Sequence, residues 1–153
     1  MTVHCRVATI ADLEMLLEFV REFHAIEKLP FDENIDRDVL RHFLEDESLG
    51  QAWLVQHGDE AIGYMILTLG YGLESRGREA FLEEFYLCSK YRGQGIGTQA
   101  LAFAENTCRV LGVRALHLEV DFENPGAQRL YARRGYQCYH RFLMTKQLVA
   151  PVL

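Results

Sequence analysis

Tyr91-Arg92-Gly93-Gln94-Gly95-Ile96-Gly97-Thr98 sets a fixed cation beside three closely spaced glycines. The segment follows an apolar, strand-like run from Phe81 to Cys88 and opens a helical run from Thr98 to Leu111. A strand, a glycine-rich turn and a helix in that order can bind a phosphate. The first N–H groups of a helix lack intrahelical partners, and the aligned peptide dipoles leave partial positive charge there. Glycine lets an anion approach the backbone with no Cβ in the way. The Arg92 guanidinium can fork onto phosphate oxygens. The chemistry this stretch suggests is the binding of a phosphorylated small molecule.

Four other positions carry chemistry. Glu83 and Glu84 interrupt the apolar strand before the loop. With a period of two, Glu83 shares a face with Phe85 and Leu87, and Glu84 shares the other with Leu82 and Tyr86. Both faces are mixed, so alternation alone does not choose between the two acids. Tyr131 offers a phenol, which is protonated at neutral pH and can donate to a thiolate. Cys88 is a conceivable nucleophile, but no histidine is near it in sequence. The remaining cysteines, Cys5, Cys108 and Cys138, form no C-x-x-C pair, and no histidine sits at zinc-finger spacing. The expectation is free thiols in a reducing cytosol and no metal site.

The elements that position these residues are readable along the chain. His4 to Ala8 alternates as a half-buried strand. Thr9 and Asp12 form a weakened capping box ahead of a helix with Leu13, Leu16, Leu17, Val20 and Phe23 on one stripe. A second helix fits Asp36 to Glu45. Gln51 to Gln56, Ala61 to Leu69 and Phe81 to Cys88 read as a three-strand meander, with Gly70 to Gly77 as a flexible loop. The glycine loop and its helix follow, then a strand from Ala115 to Asp121. Asn124-Pro125 starts a short helix, with Asn as N-cap and Pro in the first turn, and Gly135 closes it. Tyr136 to Leu148 reads as a final hairpin or pair of strands. The fold class is α/β of the α+β type, because strand and helix do not alternate throughout.

Totals narrow the field. The 153 residues suit a single domain, 1–153. Apolar residues make up 49% and charged residues 25%, an ordinary globular mix. A net charge of −6 argues against general nucleic-acid binding through a basic surface. No basic N-terminal segment leads into an apolar run, and no apolar run approaches membrane-spanning length. The expectation is a soluble, cytoplasmic protein with no membrane partner.

Three phosphate-binding patterns compete for the loop. A Walker A loop requires Gly-Lys-Ser/Thr at its end, and no lysine follows Gly97. A Rossmann fingerprint requires a third glycine where Thr98 stands. Glu119 does lie near the distance expected of a ribose-binding acid, but the loop follows three meander strands and only one more helix comes after it. The third pattern is R/Q-x-x-G-x-G/A, here Arg92-Gly93-Gln94-Gly95-Ile96-Gly97. Around it stand Leu82-Glu83-Glu84-Phe85-Tyr86-Leu87, Asn124 and Leu130-Tyr131-Ala132-Arg133-Arg134-Gly135-Tyr136. In this ordered set the chain resembles the GNAT superfamily of N-acetyltransferases. The resemblance covers the element order from about Val3 to Leu148, and the Leu82 to Tyr86 stretch is more weakly similar to di- and polyamine acetyltransferases.

The resemblance implies a mixed, mostly antiparallel sheet of six to seven strands flanked by about four helices. It also implies acetyl-coenzyme A as acetyl donor, with Arg92, Gly93, Gln94, Gly95, Ile96, Gly97 and Thr98 around its pyrophosphate. Acetyl transfer to an amine needs a neutral amine, although an alkyl amine has a pKa of about 10.4. It needs a donor for the oxyanion and a proton for the leaving thiolate. By position, Glu83, nine residues before Arg92, would draw the proton off the amine. Phe85 and Leu87 would give backbone contacts to the pantetheine arm where the family's strand splays. Asn124 would touch the same arm, Tyr131 would protonate the sulfur, and Glu84 would help to bind a cationic acceptor. The acids Glu22, Glu27, Asp32, Glu33 and Glu74 near the presumptive pocket mildly favour such an acceptor. The expected activity is direct transfer to a primary amine of a small cationic molecule, and the resemblance, in a family where dimers are common, implies a homodimer. A non-catalytic acetyl-coenzyme A sensor, acetylation of a protein amine and an oxidoreductase fragment are the alternatives.

Overall fold

The structure is a computed structural model and describes residues 1–150. Strand β1 (His4–Val7) leads through a 3-10 turn (Ile10–Asp12) into helix α1 (Leu13–Ile26). Helix α2 (Glu33–Glu45) follows, then β2 (Gly50–His57), β3 (Glu60–Gly72) and β4 (Gly77–Leu87). Helix α3 (Ile96–Val110), β5 (Ala115–Leu118) and α4 (Pro125–Arg133) complete the order. The strands form one sheet in the order β1-β2-β3-β4-β5. All pairs are antiparallel except β4 with β5, which are parallel.

Both faces of the sheet are covered, which is why β2 reads as a nearly continuous apolar run. Ala52 and Leu54 pack with Tyr64 and Tyr86 under the α1 and α2 residues Leu16, Leu17, Val20 and Leu40. Trp53 and Val55 face the other way, with Met65, Leu67 and Leu82, against Ile96, Ala100, Leu101 and Ala104 of α3. The helical stripes seen in the sequence are these two contact faces. The start of α1 is fixed at Asp12, whose carboxylate accepts from the Thr9 N–H at 2.8 Å and pairs with Arg6 at 2.8 Å.

Two irregularities in β4 shape the site. Met65 pairs with Phe85 and Ile66 with Glu84, but Leu67 pairs with Leu82, leaving Glu83 as an extra residue in a β-bulge. Strand β5 pairs with β4 only from Glu79 to Leu82. From Glu83 to Leu87 the β5-side edge of β4 is therefore open.

Three expectations change. The sheet has five strands rather than six to seven, because Tyr136–Leu148 forms no strand. Among the described residues no backbone–backbone hydrogen bond reaches Gln137–Ala150, and Phe142 and Met144 are 96% and 88% exposed. Alternation supplies strand propensity, but a strand forms only against a partner. Gly70 to Gly77 is not a loose loop: Gly70 pairs with Glu79 and Gly72 with Gly77, so only Leu73–Arg76 turns. Ladder pairing there outweighs the poor strand propensity of glycine. Strand β5 ends at Leu118 rather than Asp121, where its pairing to β4 stops.

Candidate active site

The open edge of β4 forms one wall of a cleft of about 490 Å³. The N-terminus of α3 forms a second wall, α4 a third, and Phe23, Ile26 and Glu27 of α1 lie at its rim. Of the sequence-derived site residues, Phe85, Leu87, Arg92, Gly93, Gly95, Gly97, Thr98, Asn124 and Tyr131 line this cleft. Gln94 and Ile96 do not: the Gln94 amide donates to the Lys90 carbonyl at 2.9 Å, and Ile96 is buried in the core. Glu83 and Glu84 also lie off the lining.

The backbone of β4 is oriented for hydrogen bonding into the cleft. The Cys88 N–H donates to the Ile62 carbonyl of β3 at 2.8 Å. In an antiparallel strand successive residues point their N–H and C=O to opposite edges. Leu87 and Phe85 therefore aim theirs away from β3, at the open edge. The Leu87 carbonyl accepts from Arg92 Nε at 2.9 Å, which holds the guanidinium 5.6 Å from the Tyr86 ring centroid. No hydrogen bond to the terminal nitrogens of Arg92 occurs among the described residues.

Gly95 is the N-cap of α3 with φ of 79°, in the left-handed region where glycine is favoured. The first intrahelical bond runs from the Gln99 N–H to the Gly95 carbonyl, so the N–H groups of Ile96, Gly97 and Thr98 have no helical partner. A Cβ at Gly97 would lie 3.1 Å from Leu130 Cδ2, so this glycine lets α3 and α4 approach closely. Asn124 caps α4 through its Oδ1, which accepts from the Ala127 N–H at 3.1 Å. Its amide nitrogen remains available to the cleft. The Tyr131 ring packs edge-on against Tyr136 with centroids 5.8 Å apart. Burial, and then the charge of Glu27, push the Tyr131 phenol up, so it stays protonated well above neutral pH.

The bulge settles which way the two acids face. Glu83 accepts from the Thr68 hydroxyl at 3.0 Å, and Glu84 accepts from the Tyr64 hydroxyl at 2.8 Å. Thr68, Ile66 and Tyr64 share one face of β3, so both carboxylates lie on the α1/α2 face. Their environments differ. Glu83 is exposed, whereas the Glu84 side chain is 20% exposed and also meets His24 Nε2 at 2.6 Å. Tyr86 donates to Glu22 of α1 at 2.5 Å. Burial, and then Glu22, push the Cys88 thiol up, so its thiolate is disfavoured and the geometry gives no support to a cysteine nucleophile.

Sequence reasoning missed His24, Tyr64 and Tyr86 as site neighbours, whereas Glu27, named among the acids near the pocket, lines the cleft. One signal was available for His24: it lies four residues after Val20, so it continues the buried stripe of α1.

A mixed sheet splayed between β4 and β5, with a glycine-bearing helix N-terminus closing the gap, defines an acyltransferase of the GNAT type. Residues 14–136 match the family described as Acetyltransferase (GNAT) family, and the chain belongs to it. It is 30% identical to thialysine N-epsilon-acetyltransferase of Bos taurus, over 86% of this chain and 82% of that protein. It is 29% identical to aminoalkylphosphonate N-acetyltransferase of Salmonella typhimurium, over 94% of this chain and 90% of that one. Among solved structures it resembles integron cassette protein HFX_CASS3, from the mobile metagenome of Cole Harbour Salt Marsh. That match has a TM-score of 0.85 and 31% identity, and covers 96% of this chain and 91% of the other. The chain is an N-acetyltransferase of this family.

Proposed function

We propose that the protein transfers an acetyl group from acetyl-coenzyme A to a primary amine of a small, cationic molecule, directly and within a ternary complex. The open edge of β4 carries this reading, with the backbone groups of Phe85 and Leu87 facing a cleft that ends at the bare N–H groups of α3. The residues present fit the donor. Arg92, Gly93, Gly95, Gly97 and Thr98 would hold a pyrophosphate, and the β4 edge and the Asn124 amide would hold an amide-bearing arm. Acetyl-coenzyme A would supply the acetyl thioester.

The remaining chemistry belongs to side chains and backbone. Glu83 takes the proton from the bound ammonium, through water, leaving a neutral amine to form the C–N bond. The Phe85 N–H donates to the oxygen that gains charge at the acyl carbon. Tyr131 gives its proton to sulfur as the C–S bond breaks. Glu84, paired with His24, helps to form the acceptor side. The related thialysine and aminoalkylphosphonate enzymes are named for amine acetylation, which supports an amine acceptor.

A homodimer and a cytoplasmic site belong to the same proposal. The first is supported by the uncovered apolar side chains of residues 137–150, and the second by four free cysteines. Among the described residues no helix is long and apolar enough to cross a membrane. Thermal shift with acetyl-coenzyme A, NADH and ATP tests the donor, and stabilisation by acetyl-coenzyme A is expected. Stabilisation by NADH alone would overturn the reading. Thiol release with a panel of amines and lysine peptides then tests turnover, and binding without release would reduce the protein to a sensor.

A further inference from the structure

His24 stands at the C-terminal end of α1 with both ring nitrogens engaged. Nδ1 lies 3.0 Å from the Pro30 carbonyl oxygen, and Nε2 lies 2.6 Å from Glu84 Oε2. A carbonyl oxygen only accepts, so Nδ1 must carry hydrogen there. A second proton must then sit between Nε2 and the carboxylate, because two lone pairs cannot face each other at that distance. The pair thus holds an imidazolium and a carboxylate, or their neutral tautomer, and is electrically neutral in both forms. The other Glu84 oxygen takes the Tyr64 hydroxyl at 2.8 Å. His24 is 14% exposed, so water competes little for the contact.

This arrangement joins three parts of the molecule at one point. Pro30 belongs to the connector between α1 and α2, Glu84 to the bulged part of β4, and Tyr64 to β3. On the same turns of α1, Phe23, Ile26 and Glu27 form the rim of the cleft. A shift of His24 would therefore move the rim and the connector relative to the bulge.

We propose that His24 is a positioning residue for the amine acceptor: its shared proton locks Glu84 in place and holds the α1–α2 connector against β4. The inference rests on the acetyltransferase reading above. It also divides the work of the two acids. Glu84 has both oxygens committed and serves as a fixed wall, its charge balanced by His24. Glu83, whose one side-chain partner is the Thr68 hydroxyl, keeps an oxygen free to take a proton. The groups facing His24 from the packed elements are Glu84 on β4, Pro30 in the connector and Asp36 on α2, and each favours the charged ring. Tyr64 of β3 donates to Glu84, and its ring lies 6.1 Å from that of Tyr86, which donates to Glu22 of α1.

Two measurements test this. In NMR titration, the His24 resonance, identified by its loss in His24→Gln, should titrate above the ordinary histidine value of about 6.5 and move down in Glu84→Gln. Titration at the ordinary value, or no movement in Glu84→Gln, would overturn the shared proton. In steady-state kinetics, His24→Gln should raise the acceptor KM roughly tenfold, about 1.4 kcal/mol of binding, with kcat changed far less. Its KM for acetyl-coenzyme A and its stabilisation by that ligand should match the parent. An unchanged acceptor KM in a folded variant would overturn the positioning role while leaving the acetyltransferase reading intact. If the parent protein neither binds acetyl-coenzyme A nor acetylates any amine, that reading fails, and the NMR titration still decides the proton pair.

Discussion

Glu83 and Glu84 are neighbours in sequence but occupy different environments. Glu83 is exposed with a single hydroxyl partner, and Glu84 is tied to His24 and Tyr64. Simple alternation placed them on opposite faces, and the bulge puts them on one. A bulge depends on how β4 registers against β3, which a single strand's composition does not reveal. If Glu83 is the base, Glu83→Gln should lower kcat/KM for the amine by roughly 100-fold at pH 7. The loss should shrink towards pH 9 as more amine is neutral without help, and full activity from pH 6 to 9 would exclude the role. Tyr131 was legible from its position relative to Asn124, and it does line the cleft. Its hydroxyl makes no hydrogen bond among the described residues, so Tyr131→Phe should change stability little. The same variant should cut kcat by roughly 10–100-fold with the KM for acetyl-coenzyme A unchanged, as thiol-release assays would show.

At the scale of elements, the strand–loop–helix unit was readable because glycine and Arg92 leave strong local signals. The helix began earlier than read, at Ile96, because the left-handed Gly95 caps it. Gly95→Ala would force a side chain into a φ of 79°, costing about 1–2 kcal/mol or rotating the first N–H groups of α3. Its stabilisation by acetyl-coenzyme A should fall well below that of the parent in thermal shift, while unliganded protein still folds. The clamp between α1 and β4 was not legible, since it joins residues 60 apart in sequence. It has a pH signature. The partners of His24, Glu84 foremost, raise its pKa in the folded state. A raised pKa gives stability that is complete below the unfolded value of about 6.5 and is lost as pH rises through the folded value. Urea denaturation should therefore show a larger deficit of His24→Gln relative to the parent at pH 6 than at pH 9. A deficit independent of pH would assign His24 a packing role only.

At the scale of the whole molecule, the order of strands and helices was legible up to α4, because each carries an internal period and caps. The C-terminal segment was not, because its period is real but no strand pairs with it among the described residues. Phe142, Leu143, Met144 and Leu148 are all exposed, and the outer edge of β5 carries no strand. Burying one such side chain is worth about 1.5–3 kcal/mol, and single domains rarely leave a contiguous run of them in water. An unpaired sheet edge is likewise a place where a further strand adds. The two deficits are complementary, and two copies could cover both by reciprocal contact about a two-fold axis. The homodimer proposed above then predicts a mass twice that of the chain in light scattering at micromolar concentration. The double variant Phe142→Asp, Met144→Asp should run as a monomer and retain its stabilisation by acetyl-coenzyme A, because neither residue lines the cleft. A parent protein that is monomeric at those concentrations would remove the dimer and leave the segment exposed in solution.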